Sequence, residues 1–218
     1  MLSNLITSNM LFRLQLISCS HDTTVKFWNF HTGYCDASIQ TSVWLRCLDV
    51  SPDGRFVATG GNEDAVFLFK LSTGEKIQEM RGGHEEYIQC LKFCREAGYR
   101  STGDSARTKP IDSSGALLLA SGARDSKICI WNVAARELLF TVCEHSNWVN
   151  DVAFTQDGRF LISCGDDRTV KVIDMSKRRK VRDIQNAHMD FVTSLATVPS
   201  LGLLISGGAD CEIRVFGC

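Results

Sequence analysis

No excess of charge of either sign marks this chain. Its 24 lysines and arginines stand against 25 aspartates and glutamates, a net charge of −1. Nothing in that balance favours nucleic acid or an anionic membrane as a partner. No Cys-x-x-Cys pair occurs among the ten cysteines, and although Cys90 and Cys94 are four apart, no second pair follows to complete a zinc site. Placement argues against a disulfide scaffold too. Cys47, Cys90, Cys129, Cys164 and Cys211 lie in or beside apolar strands, so they read as buried, reduced thiols of a cytosolic protein. No basic n-region opens the mildly apolar stretch from Met1 to Phe12, which Asn and Ser interrupt, so no signal peptide is expected. No apolar run approaches membrane-spanning length.

What the chain does have is a hydrophobic content of 44%, enough for a substantial core. It also has five copies of one short turn. They read Ser18-Cys19-Ser20-His21-Asp22, Thr59-Gly60-Gly61-Asn62-Glu63, Ser121-Gly122-Ala123-Arg124-Asp125, Ser163-Cys164-Gly165-Asp166-Asp167 and Ser206-Gly207-Gly208-Ala209-Asp210. The closing acids are 41, 62, 42 and 43 positions apart. An alternating strand follows each: Val25–Trp28, Val66–Phe69, Ile128–Trp131, Val170–Ile173 and Ile213–Phe216. A period of roughly 40–45 residues with this signature is that of an all-β WD-repeat propeller, one four-stranded blade per repeat. Such a fold argues for binding rather than catalysis.

A second marker, His-x-x-aromatic-aliphatic, precedes the turns. It appears at His84/Tyr87, His145/Trp148 and His188/Phe191, with Thr41 in the His place ahead of Trp44 in the second repeat. From marker to acid is 22 residues in three repeats and 41 in the repeat of His84. That excess is a polar, Gly- and Ser-rich insertion over 95–115, read as a mobile surface loop. Hairpin turns fall at Thr32-Gly33, Pro52-Asp53-Gly54, Thr73-Gly74 and Gln156-Asp157-Gly158. The repeats run approximately 1–37, 38–79, 80–140, 141–183 and 184–218. The first marker would precede Met1, so the chain is expected to begin inside a blade, with four complete repeats and most of a fifth.

His84, Ser121 and Asp125 have the residue types of a hydrolase triad. The same set recurs as His145, Ser163, Asp167 and as His188, Ser206, Asp210, and a catalytic centre would not recur with every repeat. The stronger reading is a buried network. The His donates to the turn Asp and meets the Ser hydroxyl, and a Trp six residues past the Asp completes the set. Only the third repeat has all four members, with Trp131; Phe69, Ile173 and Phe216 stand in the Trp place elsewhere. No catalytic residue, metal site or cofactor is expected.

Binding is expected on the face where turns and inter-blade loops crowd. His21, Asn62, Arg124, Asp166 and Ala209 precede the turn acids and point there, as do Trp44, Tyr87, Trp148 and Phe191. Trp148 beside Arg124 reads as a binding pair. Tyr87 and Phe191 either bind or cover the ends of the core. The basic run Lys177-Arg178-Arg179-Lys180-Val181-Arg182 reads as a solvated turn, with an acidic partner surface as the main alternative and a nuclear-import signal as a third.

Three stretches (His145–Val149, Gly158–Val172 and Asn186–Leu195) closely resemble the C-terminal blades of the lissencephaly-protein family. The insertion between His84 and Asp125 is similar to that family's own loop, and the resemblance runs from about Leu16 to Cys218. It implies a piece of a seven-bladed propeller that binds the cytoplasmic dynein motor domain through its narrow face. Arg124 and Trp148 match the family's dynein-contacting positions. The resemblance further implies a role in microtubule transport, nuclear migration and the spindle, with cytoplasmic, cytoskeletal and centrosomal placement. Alternatively, the chain would bind the catalytic subunits of platelet-activating-factor acetylhydrolase or act as a generic adaptor. The Trp-Asp-x-Arg strand end of ubiquitin-ligase adaptors is missing, since the strand closes Trp131-Asn132-Val133-Ala134. The resemblance covers the blades alone, so the family's dimerisation segment is not expected within these residues.

Overall fold

Alternation of apolar and polar residues, broken by Gly- and Asp-rich turns, produces a chain of antiparallel strands. The computed structural model describes residues 3–10, 13–94 and 117–217; the expected insertion at 95–115 lies outside them. The first sheet comprises β1 (Ser3–Met10), β2 (Arg13–Cys19), β3 (Thr24–Asn29) and β4 (Cys35–Gln40). The second comprises β5 (Leu45–Val50), β6 (Phe56–Gly61), β7 (Val66–Lys70) and β8 (Lys76–Met80). The third is built from β9 (Ile88–Phe93), β10 (Leu118–Ala123), β11 (Ile128–Asn132) and β12 (Glu137–Val142). β13 (Val149–Phe154), β14 (Phe160–Gly165), β15 (Val170–Asp174) and β16 (Arg179–Ile184) form the fourth. The fifth has β17 (Val192–Val198), β18 (Leu203–Gly208) and β19 (Ile213–Gly217).

Each sheet is a meander in which strands pair with their sequence neighbours, four strands in the first four sheets and three in the last. The result is a partial β-propeller with one sheet per blade. Among the described residues the helical content is a single 3₁₀ turn at Pro199–Leu201, and no helix is long and apolar enough to cross a membrane. The approximate repeat boundaries at 37, 79, 140 and 183 fall inside β4, β8, β12 and β16, which run on to Gln40, Met80, Val142 and Ile184. These outer strands are exposed or only partly buried over most of their length, so no regular apolar alternation marks where they end.

The core lies between blades. Ile17 and Val25 of the first blade pack with Leu45, Val57 and Phe67 of the second. Val66 and Leu68 of the second cluster with Leu91, Leu119 and Trp131 of the third. Third meets fourth through Ile128, Ile130, Val149 and Leu161, and fourth meets fifth through Ile162, Val170, Val192 and Leu204. A middle strand therefore buries both faces, as β10 does at all of its residues. Inner strands follow one another in the order β1, β5, β9, β13, β17. Two buried carboxylates tie them: Asp49 Oδ2 accepts from the Phe93 amide at 2.7 Å, and Asp151 Oδ2 from the Leu195 amide at 2.8 Å. Gly122 sits where such packing is closest, since a Cβ there would come within 2.6 Å of Val149. On β19, no further sheet among the described residues covers Ile213 and Val215, which are 78% and 58% exposed.

The described cysteines are free thiols. Cys47, Cys90, Cys129 and Cys164 are buried as expected, but Cys211 is exposed. It lies in the turn between β18 and β19 at φ +64°, outside the packed strands.

Candidate functional site

The residues read as a network are brought together in three blades. In the third, His84 Nδ1 lies 3.0 Å from Asp125 Oδ2 and Nε2 lies 2.7 Å from Ser121 Oγ. The Trp131 indole donates to the same hydroxyl oxygen at 2.8 Å. The proton order follows: with Nδ1–H aimed at the carboxylate, Nε2 accepts the Ser121 proton, and the Ser oxygen accepts the indole N–H. His145, Ser163 and Asp167 repeat the arrangement at 2.8 Å and 2.8 Å. His188, Ser206 and Asp210 repeat it at 2.9 Å and 2.7 Å. Each carboxylate also accepts the amide just after the His (Glu85, Ser146 or Met189), which pins the connection between blades to the turn. Burial pushes these carboxyls up, yet bonds from the His and the neighbouring amides outweigh it. Asp125 is held below the ordinary carboxylate range, and Asp167 and Asp210 at about 2.

Ser121, Ser163 and Ser206 are fully or almost fully buried, each bonded to its His, and at Ser121 the hydroxyl both donates to His84 and accepts from Trp131. A nucleophile needs a path to its substrate, and these have none. The triad-like set therefore acts as a brace for the turn.

Departures from this pattern are informative. In the first blade Trp28 Nε1 donates to Ser18 Oγ at 2.8 Å, a pair that the sequence reading had passed over. In the second blade Thr41 Oγ1 reaches only backbone carbonyls, those of Thr23 and Val43. Glu63 turns outward to Arg81 at 2.8 Å. The Thr59 hydroxyl, in the Ser place, is buried with no hydrogen-bond partner among the described residues.

The turns, braced in the third, fourth and fifth blades, hold a face of aromatic and basic side chains. Asn62, Arg124, Asp166 and Ala209 donate their amides to the carbonyls of Trp44, Tyr87, Trp148 and Phe191 at 2.8–3.0 Å, one bond per blade. The rings are left at the surface: Trp44 is 55% exposed, Phe191 41%, Trp148 38% and Tyr87 37%. The Arg124 guanidinium lies 4.0 Å from the Trp148 ring centroid and 5.5 Å from that of Tyr87, spanning two blades. His21 stacks on Trp44 in the same blade-to-next-blade sense. Phe191 stands one blade on, outside the rings that Arg124 contacts.

Arg46 belongs to this face and sequence reasoning missed it. It occupies a bulge in β5, where Leu45 faces Gly61 and Cys47 faces Gly60. Its Nε donates to Asn62 Oδ1 at 2.7 Å. Burial, and then the nearby Arg124 charge, hold its guanidinium below its ordinary value. Gln89, Asn150 and Thr193 take the same place in the other blades, and Asn150 bridges Asp166 and the Val192 carbonyl. Arg124 Nε is buried without a hydrogen-bond partner among the described residues. Two guanidiniums beside one another, flanked by rings, suit an anionic side chain presented by a partner.

Comparison with known proteins agrees with this architecture. The family model described as WD domain, G-beta repeat, matches residues 7–29, 33–70, 74–132, 136–174 and 179–217. The nuclear distribution protein nudF of Aspergillus niger is 33% identical over 187 residues, 84% of this chain and 42% of that protein. Its namesake in Emericella nidulans is 35% identical over 190 residues, covering 85% and 42%. The nuclear distribution protein PAC1 of Coccidioides posadasii is 35% identical over 190 residues, covering 85% and 40%. The chain thus spans about two fifths of the length of these curated relatives. They are consistent with the resemblance to the lissencephaly-protein family.

Proposed function

The chain belongs to the WD domain, G-beta repeat family, and on that premise we propose that it is a non-enzymatic scaffold that binds and regulates cytoplasmic dynein. Its relatives are named for nuclear distribution, which supports a place in microtubule-based nuclear migration, in the cytoplasm and at the cytoskeleton. The observation that carries the reading is the Arg124 guanidinium set between Tyr87 and Trp148 on a rigid, braced face. Rigid aromatic and arginine anchors are the composition of binding hot spots, since they lose little entropy on docking. Arg46 adds a second positive charge, and Phe191 extends the face towards the fifth blade.

The test is capture of purified dynein motor domain by the 218-residue chain. Arg124→Ala together with Trp148→Ala should weaken it by about 2 kcal/mol or more, some thirtyfold. Undiminished capture would remove the assignment of this face. Selective co-purification of a serine-hydrolase chain, in place of the motor, would move the reading to the acetylhydrolase partner.

A further inference from the structure

The basic run at 177–182 is left over by the reading above, and its cations divide into two groups. Lys177 turns back to Asp174 at 3.6 Å, and Lys180 is neutralised by Glu144 at 3.1 Å and Asp183 at 2.7 Å. Asp183 is further occupied by Lys171 at 3.0 Å. Arg178, Arg179 and Arg182 are exposed and make no ion pair among the described residues. Arg178 sits in the hairpin at φ +54°, its guanidinium 5.1 Å from the Phe140 ring centroid. Between Arg179 and Arg182, Val181 is 45% exposed. A register shift opposite Val172 and Ile173 leaves it out of the pairing.

Arg179, Val181 and Arg182 lie on β16, the outer strand of the fourth blade, and Arg178 in the hairpin before it; β16 pairs with β15 alone and leaves its other backbone edge open. Positive charge on an edge can simply prevent strands of two copies from pairing. That need would be common to all the outer strands, yet β4 and β12 carry no cation, and on β8 Lys76 is bonded to Glu79. Unpaired positive charge on an outer strand is therefore particular to this blade, in a chain whose net charge is only −1. We propose that Arg178, Arg179, Val181 and Arg182 form a second interaction surface, which takes an acidic, extended segment of a partner protein. Carboxylates would meet the free guanidiniums, an apolar side chain would cover Val181, and the open edge offers backbone partners to an extended chain. This rim is distinct from the Arg124 face, so one scaffold would hold two proteins at once.

The probe is a short fluorescent peptide of glutamates around a central valine, followed by anisotropy with the 218-residue chain. Binding should weaken as salt rises. Arg179→Glu with Arg182→Glu should weaken it about tenfold or more, at an unchanged Tm. Arg179→Gln with Arg182→Gln should give a smaller loss, and serves if the charge reversal impairs folding. Equal affinity for the parent and both variants would overturn the proposal, as would no binding at low salt. Tighter binding of polyuridylate or of phosphatidylserine vesicles than of the peptide would also overturn it, by assigning the rim to another class of polyanion.

Discussion

Asp125 ties the incoming connection of its blade to the turn. It accepts from His84 Nδ1, from the Glu85 amide in the incoming connection and from the Lys127 amide in its own turn. Asp125→Ala would leave a buried imidazole and two amides without their acceptor. The expected cost is about 1–3 kcal/mol, read as a lower Tm; an unchanged Tm would refute the brace. The same carboxylates make the fold acid-sensitive in a defined direction. Asp167 is held at about 2 against an ordinary value of 3.8, so its stabilisation is fully present above pH 4 and lost as pH falls towards 2. For this half-buried group the linkage is worth about 2 kcal/mol. Asp167→Asn should flatten the stability profile between about pH 4 and pH 2 in urea titrations; a slope equal to the parent's would count against it. This network was legible in the sequence because one set of residues recurs at fixed offsets. Arg46 was not, because its importance comes from Arg124, which approaches it only once adjacent blades are packed.

At the scale of the blade, the second is built differently from its neighbours. Thr41 replaces the His, Glu63 the Asp and Phe69 the Trp, and Asp64 lacks the left-handed backbone that Ser126, Arg168 and Cys211 adopt just after the acid. A half-open pocket of about 230 Å³, lined by Ile39, Thr41, Phe67, Phe69, Gly74 and Lys76, lies beside Thr41 and Phe69, the two places where larger residues stand in the third blade. Restoring the network takes one more change. A Cβ on Gly83 would come within 2.7 Å of the Trp131 ring, and the residue in that place before Thr41 is Gln40. Gln40→Gly, Thr41→His, Glu63→Asp and Phe69→Trp together should raise stability by about 1–3 kcal/mol, by giving the Thr59 hydroxyl its partners. The three changes without Gln40→Gly should gain little. Equal urea midpoints for the fourfold variant and the parent would sink this account. Loss of the Glu63–Arg81 pair costs less than the gain, since that pair is exposed. Inner and middle strands were readable from their apolar content between regularly spaced turns; the ends of β4, β8, β12 and β16 were not, because strands that are only partly covered need no strict pattern.

The molecule as a whole is a series of blades in which each core is shared by two neighbours. Stability in such a series is a sum of blade terms and nearest-neighbour terms, so blades can open one at a time. The thiols turn that into a built-in clock. Cys35, Cys143 and Cys211 face solvent, while Cys19 reports on the first blade, Cys47 on the second, Cys129 on the third and Cys164 on the fourth. Burial pushes Cys129 up to about 12, and Cys47 and Cys164 well above the ordinary thiol range, so these stay protonated and shielded until their blade parts. Timed maleimide labelling followed by mass spectrometry should modify the three exposed thiols at once, then Cys47 ahead of Cys129. The reverse order would mean that the unbraced second blade is not where the propeller first comes apart.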